Sequence, residues 1–118
     1  MAQTQCDLQA ESADGVTVFH ITGRITAPAL PMIRDRISQA ISRSGHRGVI
    51  VDMAGVDFID SSVIGFLIST LKILRGAGQD LGLTGLNTMS LETLRVTSLA
   101  HILPIFASLE EARQSMGD

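Results

Sequence analysis

The sequence predicts the α/β class: a mixed, mostly parallel central sheet of four to five strands with about four helices packed against it. Three observations carry this expectation. From residue 28 onward helical and strand-like patterns alternate, which calls for right-handed crossovers between parallel strands. The run GVIVDM at 48–53 is short, almost wholly apolar and rich in β-branched residues, as in a strand covered on both faces. Finally, a chain of 118 residues, 45% hydrophobic and 18% charged, is the size of one domain with one core. Residues 1–118 read as a single domain with its core in about 7–115, without repeat, linker or low-complexity segment.

The elements follow in order. VTVFHIT at 16–22 alternates apolar and polar residues as a strand does, and Asp14-Gly15 marks a turn back to a hairpin partner around Leu8. Gly23 loosens the backbone and GRITAPALP leads out as a loop. Leu30, Ile33, Ile37, Ala40 and Ile41 recur at helical spacing, with Arg34, Asp35, Gln39 and Arg43 on the opposite face and Gly45 as terminator. The strand at 48–53 should end near Ala54-Gly55. A helix over about 62–75 turns Val63, Phe66, Leu67, Ile68, Leu71 and Leu74 inward and stops at Gly76-Ala77-Gly78. Leu81, Leu83 and Leu86 suggest another short strand, and Ser90 to Ala100 a helix. Ile102 to Phe106 is extended, but Pro104 argues against a central strand. Ser108 and Glu111 have the spacing of a capping box and open a last helix.

Composition excludes several functions. The net charge is −3, the nine Lys and Arg are scattered, and Trp and Tyr are absent beside four Phe, so nucleic acid is not an expected partner. Cys6 is the single cysteine, which suits a reducing compartment, and it sits near a terminus expected to be loosely ordered. The N-terminus lacks the pattern of a signal peptide, and no apolar run approaches the roughly 20 residues of a membrane span. A cytoplasmic protein without membrane insertion is expected. No Cys, His or Asp pair has metal-ligand spacing, and Gly82 and Gly85 suit packing and turns better than a phosphate cradle, so neither metal nor cofactor is expected. The five methionines are spread out and form no Met-rich groove.

The stretch FIDSSVIGFL at 58–67 holds the candidate site. Asp60, Ser61 and Ser62 fall at the start of a helix, where backbone N–H groups lack intrahelical partners, and capping by Asp or Ser explains them locally. A serine hydrolase needs a base and an orienting acid. The G-x-S-x-G pattern is absent, however, and the histidines suggest other roles: His20 on a strand's polar face, His46 in a solvated loop, His101 near a helix end. No catalytic residue is assigned. A phosphate on a helix-initial serine, by contrast, meets free N–H donors and the positive end of the helix dipole, and it changes the charge of a docking surface without refolding the domain. Asp60 could orient the hydroxyl.

The order of elements and three motifs resemble the STAS domain, specifically the small stand-alone bacterial anti-sigma factor antagonists. The family's D-S-[ST]-G-[LIV]-G helix opening is matched by Asp60-Ser61-Ser62-Val63-Ile64-Gly65. Its G-[ED]-[LI]-D loop after the second strand is matched by Gly23-Arg24-Ile25-Thr26, and LRVTSLAHILPIFASLEEA is similar to its closing stretch. The resemblance implies a STAS-like domain without catalytic activity that binds an anti-sigma factor carrying a histidine-kinase-like serine kinase domain and so frees a sigma factor. It implies phosphorylation on Ser62, with Ser61 as second choice, and reversal by a serine phosphatase. Asp60, Ser61, Val63 and Gly65 would form the recognition loop, and Gly23, Arg24, Thr26 and Phe66 the docking surface. Val63 stands where the family has glycine, narrowing access to Ser62, and Thr26 where it has an acid. These departures motivate an alternative: a non-phosphorylated scaffold subunit of a stressosome-like complex or of a lipid-transport ABC system.

Overall fold

The structure, a computed structural model, describes residues 6–95 and 100–117. Asp14 and Gly15 both have positive φ (56° and 80°), the backbone of a two-residue hairpin turn, and they join strand β1 (Cys6–Ala13) to β2 (Val16–Ile25). After a short 3-10 turn at Ala27–Ala29 comes helix α1 (Leu30–Ile41), where Pro31 occupies a first-turn position that needs no N–H donor. Strand β3 (Gly48–Ile59) leads into helix α2 (Ser62–Gly76), then β4 (Asp80–Thr84), α3 (Thr88–Arg95), a 3-10 turn at Ala100–Ile102 and α4 (Leu109–Gly117). Among the described residues these strands form a four-stranded sheet in the order β1-β2-β3-β4. The β1–β2 pair is antiparallel and the other two pairs are parallel.

The sheet is covered on both faces, and the period of two explains how. Phe19, Ile21, Val49, Val51, Leu81 and Leu83 point to the face packed by α1 and α2, with Leu94 of α3 joining that core. Val16, Val18 and Ile50 point to the other face, where Ala112 and Met116 of α4 close a smaller cluster flanked by Phe106 and Leu109. The capping box opens α4, with a shift: Ser108 Oγ accepts the Glu111 N–H at 3.1 Å, while Glu111 reaches the Ala107 N–H at 3.2 Å. The segment around Ile105 makes one isolated parallel bridge to Leu83 at the β4 edge, consistent with Pro104 keeping it out of the sheet proper.

Four local expectations are corrected. Strand β3 does not end near Ala54-Gly55 but runs to Ile59, because β2 bends with it through two register shifts, and Gly23 (φ 95°) lies at one of them. The α3 helix is described over Thr88–Arg95, so it begins two residues before the expected Ser90; residues 96–99 fall outside the described part, and Ala100 lies in a 3-10 turn rather than in this helix. Leu86 lies beyond β4 and packs, half-buried, against the core. Cys6 is not loosely held: it is paired in β1 and 3% exposed, and burial, followed by the nearby Asp7 charge, pushes its thiol pKa up.

Candidate regulatory site where the strands hand over to α1 and α2

The adjacent parallel strands β2 and β3 end side by side, with Ile25 opposite Ile59, and each passes into a helix at the same edge of the sheet. This is the edge where parallel α/β sheets commonly present their sites. Asp60 is the residue that ties the two exits together. Its backbone N–H donates to the Ile25 carbonyl at 3.2 Å, continuing the strand pairing by one residue. Its Oδ1 accepts the Ser62 N–H at 3.0 Å and the Ser62 hydroxyl, and its Oδ2 accepts the Ala27 N–H at 3.2 Å. The Ser62 hydroxyl bond chiefly, with the Ala27, Ser62 and Val63 amides, holds the Asp60 pKa below its ordinary value, and partial burial opposes this only in part. The carboxylate is therefore ionised at neutral pH, and both of its oxygens are engaged.

This arrangement differs from serine capping. Ser61 is the N-cap residue of α2, yet its side chain makes no capping bond; Asp60 satisfies the exposed first-turn donor instead. Ser61 is exposed, whereas Ser62 is half-buried with its hydroxyl directed at Asp60. Val63 does not narrow access to Ser62, because its side chain turns into the core and is 2% exposed. Gly65 lies on the exposed side of α2, and a Cβ there would meet no atom within 4 Å. Thr26 is half-buried in the facing loop, beside Gly23 and Arg24.

Phe66 offers little surface: it is 8% exposed, and the Arg34 guanidinium lies 5.9 Å from its ring centroid. The more accessible aromatic ring at this edge is that of Phe58, which is half-buried and which the sequence pattern does not single out. Arg24 covers its ring at 4.5 Å, a cation–π contact across the β2–β3 pair. The pairing of Arg24 with Phe58 across the strands is hidden in the sequence by the register shift between Gly23 and Arg24.

His20 and His46 sit away from this edge. His20 is on the polar face of β2 as expected, where its Nδ1 meets Asp52 at 2.7 Å and its Nε2 meets Glu11 at 3.0 Å; Arg113 of α4 holds Glu11 at 3.0 Å. His46 is not a solvated loop residue. It is half-buried, with Nε2 2.9 Å from the Thr17 hydroxyl and Nδ1 on the Gln79 side-chain oxygen. Gln79 donates its own amide to the Ile41 carbonyl at 3.1 Å, so its oxygen is left to accept from His46 Nδ1. These imidazoles are thus held by strand and turn partners. Among the described residues no group of three or more His, Cys, Asp or Glu is placed to hold a metal ion, and no helix is long and apolar enough to cross a membrane.

Comparison with known proteins gives this edge its context. The profile of the STAS domain family matches residues 7–112. The chain belongs to the STAS domain family. A curated relative, an anti-sigma F factor antagonist from Paenibacillus polymyxa, is 22% identical over 99 residues, covering 84% of this chain and 85% of its own. Among solved structures, an anti-sigma factor antagonist from Mycobacterium paratuberculosis superposes with a TM-score of 0.83 at 22% identity, covering 96% of this chain and 95% of its own. The anti-sigma factor antagonist SpoIIAA has been solved unphosphorylated, with a TM-score of 0.78 at 19% identity over 95% of this chain and 98% of its own. Its phosphorylated form, described as a Bacillus cell fate determinant, gives 0.70 at 22% identity over 92% and 98%. At these identities the structural likeness establishes the STAS fold: one antiparallel strand pair on an otherwise parallel sheet, with four α-helices among the described residues.

Proposed function

We propose that this STAS chain is an anti-sigma factor antagonist that works by partner switching. In its unphosphorylated form it binds an anti-sigma factor bearing a histidine-kinase-like serine kinase domain and thereby releases a sigma factor. Phosphorylation at Ser62 breaks the complex and a serine phosphatase restores it, so the chain is a substrate and binding partner rather than a catalyst. The relatives named as antagonists, one of them solved with and without its phosphate, support the reading at the level of the family.

The observation that carries the reading is the hydroxyl of Ser62. It sits at the first residue of a 15-residue helix, half-buried, donating a hydrogen bond to a carboxylate that also accepts one from the amide of a second loop. A phosphate attached there gains the positive end of the α2 dipole, so it is tolerated by the fold. The same phosphate adds about 1.5 to 2 negative charges beside the exposed Ser61, Gly65 and Arg24, where a partner surface would desolvate. The scaffold alternative drew on Val63 and Thr26, and the inward turn of Val63 removes the first of these motives.

The test is incubation with the anti-sigma serine kinase of the source organism and ATP, followed by intact mass and site mapping. One added phosphate at Ser62 is expected, or at Ser61 on the second choice; no phosphate, or one elsewhere, removes the switch. In a companion binding measurement, Ser62→Ala should retain the partner and Ser62→Asp should lose it. Equal binding by the two variants would remove the charge-based mechanism.

A further inference from the structure

Asp60 engages more than the serine beside it. One carboxylate oxygen holds the Ser62 hydroxyl and amide, and the other holds the amide of Ala27, 33 positions away on the exit from β2. The Ala27 amide opens the short 3-10 turn Ala27–Ala29, whose own backbone bond runs from the Ala29 N–H to the Thr26 carbonyl at 2.9 Å. The N-cap Thr26 makes no side-chain capping bond, so Asp60 supplies the side-chain acceptor at the start of this turn. The Asp60 carboxylate is therefore shared by the two chain segments that leave β2 and β3.

We propose that Asp60 is the positioning residue through which a phosphate on Ser62 releases the 26–29 turn, coupling the two loops of the docking surface; this rests on the reading of Ser62 as the phosphorylated hydroxyl. In the transfer, the Ser62 O–H bond breaks and an Oγ–P bond forms to the γ-phosphorus of a nucleoside triphosphate held by the kinase. The bond to the nucleoside diphosphate leaving group breaks, and the serine proton passes to solvent. The product has no hydroxyl hydrogen to offer Asp60 and sets a dianion against an ionised carboxylate. Like charges at that distance repel, and the α2 amides that Asp60 was using are the donors the phosphate seeks. The carboxylate swings away from the α2 start, and because both of its oxygens move as one rigid group the Ala27 amide loses its acceptor. The partner then meets two altered loops instead of one added charge.

The experiment needs no kinase. Amide hydrogen exchange is followed by NMR on the full chain for wild type, Ser62→Ala, Ser62→Asp and Asp60→Asn, with the Val51 amide in mid-β3 as reference for global opening. Ser62→Ala keeps both amide bonds to Asp60, so Ala27 should exchange as in wild type. In Ser62→Asp, Ala27 should exchange about tenfold faster, the factor one hydrogen bond to a charged acceptor supplies, through a local opening that keeps it faster than Val51, whose own rate rises only with the lost global stability. Asp60→Asn should behave alike, because an amide side chain presents only one accepting atom to two sets of donors. An unchanged Ala27 rate in Ser62→Asp or in Asp60→Asn would overturn the coupling. So would an Ala27 rate in Ser62→Asp no faster than that of Val51, which marks opening through domain-wide unfolding alone. Since phosphate mapping is a separate measurement, failure of the coupling and failure of the Ser62 assignment are told apart.

Discussion

The substitution Ser62→Asp places a second carboxylate against Asp60 and removes the hydroxyl donor, so its cost can be worked from the contacts around that residue. Loss of a hydrogen bond to a charged acceptor at a half-exposed position costs about 1 kcal/mol. Two carboxylates roughly 4 Å apart repel by about 1 kcal/mol in bulk water and about 4 at the dielectric of a protein surface, so ~2 kcal/mol is a fair middle value. The α2 dipole returns about 0.3 to 1 kcal/mol. The net is a destabilisation of ~2 to 3 kcal/mol, against ~1 kcal/mol for Ser62→Ala, which loses the hydroxyl bond alone. A chain of this size changes melting temperature by about 4 °C per kcal/mol, so the aspartate variant should melt ~8 to 12 °C below wild type and the alanine variant ~4 °C below. The assay is thermal unfolding at pH 7 and again near pH 3.5. In wild type, the Asp60 contribution is present above the carboxyl's ordinary value of 3.8 and is lost as the pH falls through its depressed folded value. In Ser62→Asp the repulsion likewise disappears once either carboxyl is protonated. The gap between the two variants should therefore narrow in acid. If the aspartate variant melts with or above the alanine variant at pH 7, or if the gap is the same at both pH values, the picture of Asp60 as an ionised and fully occupied acceptor is wrong.

Three further predictions concern the rest of the molecule. Burial alone would lower the His20 pKa, but its hydrogen bonds to Asp52 and Glu11 and their charges outweigh this and raise it above 6.5. The contribution is thus complete below 6.5 and lost as pH rises through the raised folded value. Urea midpoints of wild type should accordingly exceed those of His20→Gln by more at pH 6 than at pH 9, and an equal difference would show that the imidazolium is not what matters. Leu74 of α2 is 0% exposed, so Leu74→Ala should cost about 2 to 5 kcal/mol in chemical denaturation; a loss under ~1 kcal/mol would mean that the α2–sheet core is misdescribed. Gly65→Ala should do the reverse and stabilise α2 by ~0.5 to 1 kcal/mol, since nothing lies within 4 Å of the new methyl, while weakening partner binding if that turn is docked. A destabilised Gly65→Ala would reveal a steric constraint on the free chain.

What the sequence disclosed and what it concealed divide along physical lines. The alternation of Val16, Val18 and Ile21, the helical stripe of Leu30, Ile33 and Ile37, and the apolar run at 48–53 report burial directly, and each became the expected element. The second half of β3 was illegible because Ala54, Gly55 and Asp57 are exposed there and β2 is bulged opposite, so no alternation survives to be read. The candidate site was legible in its side chains, Asp60 and Ser62, but not in its assembly. The partner that completes it is the backbone amide of Ala27, and an amide leaves no trace in residue identity. His46 was misjudged for a similar reason: its partners, Thr17 and Gln79, are brought to it by β2 and by the turn after α2. Cys6 was judged by its distance from the end of the chain, whereas the hairpin register places it opposite Gly23 and under cover.

The two faces of the sheet are unequally covered, and local opening is expected to begin on the more thinly covered one. The face beneath the site is sealed by two long helices and most of the large buried side chains; the other is closed by α4, through a handful of apolar residues and the Arg113–Glu11 link. An opening that begins at α4 leaves the β2–β3 exits and their shared carboxylate intact. The candidate site thereby lies on the more firmly covered part of the fold, and the proposed phosphate on Ser62 would be carried by a surface expected to outlast the breathing of the opposite face.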